Sequence, residues 1–583
     1  MINPNFDTIQ VKIIDKAFYA EGNISYPSTA VVSFFDQHGR YLFATDYGYL
    51  PISKVYELLD DTGEVNLDYA YIHNFSATAY RRTRLIPKTD YVEIKKLSAK
   101  NSLLASEFEI DFSFLKIADG DVEFTECCFA SGDLTFKHNI FGDGKFDFSY
   151  ALVKSKKVDF SNTQFGSGLK SFKNAIFSDG IKDFQYADFG QGELNFINTE
   201  FGGGEVSFIN SNFNHGDVSF KVARFGDGKA DFHFAKFGDG DISFERTEFG
   251  NGLTDFKTVE FGSGKVNFNR AVFGNGEVNF EGSAADGRVT FKKTAFGTGH
   301  LIFELAEFEN TELNMEKAIL GDSEVSFFNG KFHTLVLKGC HLNQYVDLRV
   351  KQCHEIDLSD TVVRDIIDLK PYQNEVLLHI LNISGMRLLG IIYVDWKNNH
   401  VLQLIKNQHK TTLEEKAEQF RILKESFNKA GQYSDEDDSY VWFKRYELLS
   451  NFSANKNKSI VINVLKYPAY AFKKLVFDYA GLYATNPARV MISMAATYTF
   501  FSLLYVLVLS LGFGGITSGL GGEHNAIGMV GRSFFFSGVT FFTIGYGDFY
   551  PMGIVRVLSL LEGFTGVFLM SYFTVAFVRK ILR

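Results

Sequence analysis

The sequence predicts a chain of mixed class: a β-helical solenoid, a helical hairpin linker, and an all-α C-terminal domain of two membrane spans around a re-entrant loop. Three observations predict it. Phenylalanine recurs every 12 residues through residues 124–308, a period that belongs to stacked repeats. At Thr411 the hydrophobic period becomes helical. Near the C-terminal end, residues 490–511 and 554–578 are apolar and long enough to cross a bilayer. A chain of 583 residues divides into several domains. The expected boundaries are a mostly-β cap at 1–110, the solenoid at 111–370, a connecting region with the hairpin at 371–458, an interfacial helix at 459–487 and the spanning domain at 488–583.

The cap comes first because an open solenoid end exposes unpaired strands and has to be covered. Residues 1–110 are aromatic and varied, unlike a disordered tail. Within them Asp60, Asp61, Glu64 and Asp68 read as a solvated acidic loop. In the solenoid, one phenylalanine series runs from Phe201 to Phe273 and a second from Phe208 to Phe280, splitting each period into seven plus five residues. Val206, Val218, Ile242 and Val266, or Ala223, Ala235 and Ala271, lie two positions before a phenylalanine. Residues two apart share one face of a strand, so each short strand sends one small and one aromatic side chain inward. Gly-x-Gly segments such as Gly238-Asp239-Gly240 mark corners where glycine's dihedral freedom is useful.

This Ala-x-Phe pattern resembles the Ala-(Asp/Asn)-Leu units of pentapeptide-repeat proteins. The resemblance implies a right-handed quadrilateral β-helix; here two alternate sides are longer, giving about 24 residues per coil. The phenylalanine stretch then makes roughly eight coils and a rod near 40 Å, at about 4.8 Å per coil. The middle slot of Gly-x-Gly wanders through Asp143, Ser167, Gln191 and Gly203, which argues against a calcium-binding roll. Mixed surface charge, with Lys221, Arg224 and Lys257 among the acids, argues against DNA mimicry, and no nucleic-acid partner is expected. Cys127, Cys128, Cys340 and Cys353 show no metal-ligand spacing and read as reduced thiols.

Thr412 and Glu415 form a capping box, and Leu413, Ala417, Phe420, Leu423 and Phe427 lie on one helical face. Gly431 ends that helix and Ser434-Asp435 can cap a second, which makes an antiparallel hairpin. The aromatic and basic stretch 460–483 suits a helix at a membrane surface.

Between the spans lies a glycine-rich linker, then a short apolar helix expected at 533–543, then Thr543-Ile544-Gly545-Tyr546-Gly547-Asp548. Irregular backbone at membrane depth is tolerated only where it lines a cavity. The hexapeptide in this setting resembles the selectivity filter of two-span potassium channels, over about the last hundred residues. The resemblance implies four copies around one axis, with potassium held by the carbonyls of Thr543, Ile544, Gly545 and Tyr546 and by the Thr543 hydroxyl, Gly547 and Asp548 completing the filter. It also makes Gly563 and Gly566 candidate gating hinges, close helix packing being the alternative for both. Glu562, a carboxyl group inside the second span, is a candidate filter support, with packing against a polar group of the short helix as the other reading.

Lys466, Lys473, Lys474 and Arg489 precede the first span, and Arg579, Lys580 and Arg583 follow the second. The positive-inside rule then places both termini in the cytoplasm. The expected localisation is a bacterial inner (plasma) membrane, multi-pass. The resulting expectation is a homotetrameric potassium-selective channel in a lipid bilayer, whose cytoplasmic β-helix regulates or anchors it, with an unknown cytoplasmic partner or ligand on that β-helix. The alternative is a membrane-tethered pentapeptide-repeat scaffold. No nucleotide loop, nucleophile motif or cofactor signature is present, so neither an enzyme nor a cofactor beyond the permeant ion is expected.

Overall fold

A computed structural model describes residues 4–371, 376–453, 460–518 and 528–582. The boundary expected at 458–459 and Arg583 lie outside the described residues. The chain forms two compact units, residues 1–409 and 410–583.

The first unit is a β-solenoid. Its coils advance by 24 residues: Val218 pairs with Ile242 and Thr254 with Val278, all in parallel register. One parallel sheet of 14 strands runs along it from Glu64–Asn66 to Leu377–Asn382. The ladder therefore starts before the phenylalanine repeat and continues past it. In those end coils Val65, Leu97, Leu335, Ile356 and Leu381 fill the core positions, so the fold persists while the repeat signal fades. Acidic residues expected in one loop are dispersed by this start. Asp60 ends a helix, α1 (Ile52–Asp61), and is paired with Arg84; Glu64 opens a strand, and Asp68 is buried, accepting from the Ser98 hydroxyl at 2.6 Å.

Each central coil supplies four phenylalanines to the interior. Phe244 stacks on Phe220 and Phe268, centroids 4.9 and 4.6 Å away and planes within 2°. It also meets Phe256 edge-on at 5.6 Å. The residues two before them, Val206, Val218, Ile242 and Val266, are buried as the alternation requires.

The corners need glycine for a second reason besides dihedral freedom. A Cβ on Gly240 would lie 2.2 Å from the Gly216 carbonyl oxygen, and one on Gly264 would lie 1.9 Å from that of Gly240. Neither has a positive φ. Close stacking of coil on coil, not dihedral freedom, excludes a side chain there. The polar middle slot serves the same stacking: Asp143 accepts from the Ser167 amide at 2.8 Å and Asp227 from the Asn251 amide at 2.9 Å, each one coil on. Left-handed backbone occurs at some corner glycines, Gly190, Gly202, Gly204 and Gly262 at 62°, 65°, 93° and 61°, and also at residues 12 apart that include Asn162, Asn174, Tyr186, Asn198, Val222 and Arg246.

Antiparallel strands Thr8–Ile14, Ser28–Phe35 and Tyr41–Tyr49 close one end over Phe6, Val32, Phe34 and Leu103. A second helix, α2 (Ala77–Thr83), is capped by the Ser76 hydroxyl. At the other end α3 (Val401–Lys406) packs on the last strand of the long sheet, with Val401 and Ile405 fully buried. Both ends of the solenoid are thus covered.

The second unit begins with a hairpin of α4 (Leu413–Lys429) and α5 (Tyr433–Ser453). The capping box forms: the Thr412 hydroxyl accepts from Glu415 N at 3.2 Å, and the Glu415 carboxylate accepts from Thr412 N at 2.7 Å. Gly431, at φ 70°, makes the turn. Then α6 (Ile460–Lys473) leads through a π-helical turn (Lys474–Tyr479) to α7 (Pro487–Ser510), which Asn486 caps. A short helix α8 (Met529–Phe541) and a long one, α9 (Val555–Ile581), complete the chain. Helices α7 and α9 are long and apolar enough to cross a membrane.

Candidate functional site

The hexapeptide follows directly on α8. That helix starts four residues earlier than the apolar pattern suggests and ends at Phe541, so Thr543 lies outside it. Positive φ recurs at every second residue: 53° at Thr543, 69° at Gly545 and 79° at Gly547. In a strand, successive carbonyls point to opposite sides; alternating handedness turns them toward one side. A Cβ at Gly545 or Gly547 would meet no atom within 4 Å, so dihedral demand alone calls for glycine at these two positions. Residues 542–547 are exposed in the single chain, Tyr546 by 67% and Ile544 by 48%.

The loop is held from both sides. Thr543 N donates to Thr540 O at 3.2 Å and Ile544 N to Val539 O at 3.0 Å, anchoring its start to α8. Just past Asp548, the strand Phe549–Gly553 pairs antiparallel with Gly514–Ser518, Ile516 facing Pro551. Sequence reasoning had only a flexible linker at 514–518, because two glycines and a serine there mask the strand.

Glu562 is fully buried and joins three helices. From α9, its carboxyl group accepts the Tyr505 hydroxyl of α7 at 2.6 Å and the Ser537 hydroxyl of α8. Tyr505 also packs edge-on against Phe536, centroids 5.3 Å apart. Of the two glycines, Gly566 faces the end of α8: a Cβ there would lie 2.1 Å from Phe541 O. Gly563 is less constrained, with Thr540 O 3.9 Å from such an atom. Helix α9 runs unbroken past both. The geometry thus supplies a packing reason for glycine at 566.

The last turns of α9 are tied to the elements before α7. Tyr572 accepts from Ala484 N at 2.8 Å and donates to Phe477 O at 3.0 Å. Between these partners Leu482, Tyr483 and Ala484 are all left-handed, a conformation costly for residues with a Cβ. Arg445 of α5 holds buried Asp478 through two nitrogens at 2.8 and 3.1 Å. Asp437 of α5 pairs with Arg579 at 2.9 Å and Lys580 at 2.7 Å, while the Arg579 guanidinium lies 4.7 Å from the Tyr440 ring centre. Asp437 and Tyr572 carried no signal in the sequence, since their partners are 88 or more residues away.

Within the solenoid, Asp231, His233 and Asp255 bring ligand atoms within 4.8 Å of one another. The chain's own donors already meet the two carboxylates, while the buried His233 Nε2 has no hydrogen-bond partner among the described residues. Lys229 reaches Asp231 and lies 3.8 Å from Asp255, and the two carboxylates accept the His233 and Lys257 amides at 3.0 Å.

Residues 492–583 match a family model described as "Ion channel". No curated protein and no solved structure matches the chain. The match covers most of α7 and all of α8, the hexapeptide and α9, and with the two apolar helices it supports an ion channel embedded in a membrane.

Proposed function

We propose that the protein is a homotetrameric potassium-selective channel of a bacterial inner membrane, with both termini cytoplasmic and a pentapeptide-repeat-like solenoid that regulates the pore. The observation that carries selectivity is the alternation of positive φ at Thr543, Gly545 and Gly547 immediately after α8. Carbonyls turned to one side replace an ion's hydration shell when several copies surround it. The carbonyls of one loop reach an ion from one side only, which supports an arrangement completed by other copies.

Regulation is supported by the grip of α5 on the end of α9. A movement of the hairpin reaches the second span through Asp437, Arg579 and Lys580, with no need to pass through α7. The test is ion flux from vesicles holding the purified full chain. Potassium-loaded vesicles release ion in a barium-blockable manner, and sodium-loaded vesicles do not; equal release of both ions overturns the reading.

A further inference from the structure

Most cations on the later coils of the solenoid meet a carboxylate one coil away. Lys221 pairs with Glu245 at 3.0 Å, Lys257 with Glu281 at 2.7 Å, and Arg288 with Glu312 and Lys292 with Glu316 at 2.8 Å. Among the described residues, Arg246, Arg270, Lys293 and Lys317 have no such pair. They occupy one corner column, as their amides show: Arg246 N donates to Asn269 O, Arg270 N to Lys292 O, Lys293 N to Glu316 O and Lys317 N to Lys338 O, at 2.9–3.1 Å. The four therefore stand one above another on successive coils, about 4.8 Å apart. All are exposed.

Two physical costs attach to this ridge. Each of the four has a positive φ, at 56°, 59°, 57° and 56°. Asparagine takes that conformation more cheaply, and the same column carries Asn174 and Asn198 in earlier coils, at 56° and 55°. Like charges stacked between neighbouring strands also repel. The left-handed backbone by itself is no bar to other residues, since Tyr150 and Val222 stand in the same column at 60° and 59°; it is the repulsion between stacked like charges, sustained over four coils, that points to a use.

We infer that this ridge is a docking surface for the anionic headgroups of a lipid bilayer. Val272 and Ile319, each two residues beyond a ridge cation, are exposed by 45% and 61%. Apolar side chains beside cations suit the boundary between headgroups and acyl chains. The chain also carries two helices apolar enough to cross a membrane, so a bilayer is the polyanion to which the solenoid is tethered. Near an anionic surface each such cation changes the partition by about five-fold. This inference does not depend on ion selectivity, and the two are tested separately.

The test uses the full chain in lipid nanodiscs, with Ile319→Cys labelled by a fluorophore; the four native cysteines are fully buried and spared. Discs of phosphatidylcholine alone are compared with discs holding equal phosphatidylglycerol, both with a nitroxide quencher on the headgroups. Quenching is expected in the anionic discs only and is lost in about 1 M salt, where screening acts within 3 Å. It is also lost in the variant R246N/R270N/K293N/K317N, whose melting temperature stays at or above that of the parent because asparagine suits these corners. R246K/R270K keeps it. Equal quenching in neutral discs, quenching that survives the four asparagines, or no quenching in anionic discs overturns the inference. So does a response of the label to a single-stranded oligonucleotide instead of to lipid.

Discussion

Glu562 offers the sharpest perturbation of the membrane domain. One carboxyl group joins α7, α8 and α9 through the hydroxyls of Tyr505 and Ser537, all three side chains being fully buried. Glu562→Ala removes both acceptors, leaving the buried Tyr505 hydroxyl without this partner and the Ser537 hydroxyl with only the longer contact to Tyr498 O at 3.4 Å. Hydrogen bonds between membrane helices are worth about 0.6–2 kcal/mol each, so the loss is about 1–4 kcal/mol for the pair. Glu562→Gln keeps one acceptor oxygen and offers an amide that the Ser537 oxygen can accept, so it falls well below that range. Tyr505→Phe removes one donor and lies between. The assay is heat-induced loss of the assembled channel, with the E562A/Y505F double mutant closing a cycle. Because α8 leads straight into Thr543, loosening it is also expected to shorten the life of the conducting state in single-channel records. Equal thermal stability and equal open lifetimes for Glu562→Ala and the parent refute the reasoning.

Phe244→Ala empties the centre of a stack with ring partners on five sides and is expected to cost about 3–5 kcal/mol locally; Asp239→Ala, at an exposed corner, changes little, and similar melting of the two counts against this register. Lys182 is fully buried and donates to Gly180 O and Gly203 O at 3.1 and 3.0 Å, and burial pushes its ammonium down to about 8. The folded state thus binds fewer protons than the unfolded one between pH ~8 and ~10.4. Lys182→Met is expected to stabilise the solenoid most below pH 8, an advantage that shrinks as pH rises to about 10.4; an advantage independent of pH refutes it. Asp437→Asn weakens the grip of α5 on Arg579 and Lys580 and is expected to change open probability while leaving ion selectivity untouched, as read in single-channel records.

Much of this was legible in the residues. The seven-plus-five spacing of phenylalanine set the 24-residue coil, and Thr412 with Glu415 placed the start of α4. The coils between the phenylalanine repeat and residue 370 were placed in the solenoid, whereas those before 111 and after 370 were missed, because leucine, valine and isoleucine carry their core without a countable period. Glycine at the corners was recognised for only one of its two reasons: dihedral demand, a local property met at Gly190, Gly202, Gly204 and Gly262, was legible, whereas chain proximity one coil away is invisible in sequence. The left-handed columns escaped because arginine, tyrosine and valine occupy them as well as asparagine. In the membrane domain the hexapeptide announced itself, while the partners of Glu562 and Asp437 are set by tertiary packing over long separations.

The central claim is a potassium-selective filter at Thr543–Asp548, and the reversal potential of the reconstituted full chain under bi-ionic potassium and sodium tests it most directly. Each tenfold in permeability ratio moves that potential by about 59 mV. The account predicts a displacement beyond that step in the direction favouring potassium; a reversal near zero, with the two ions equally permeant, contradicts it.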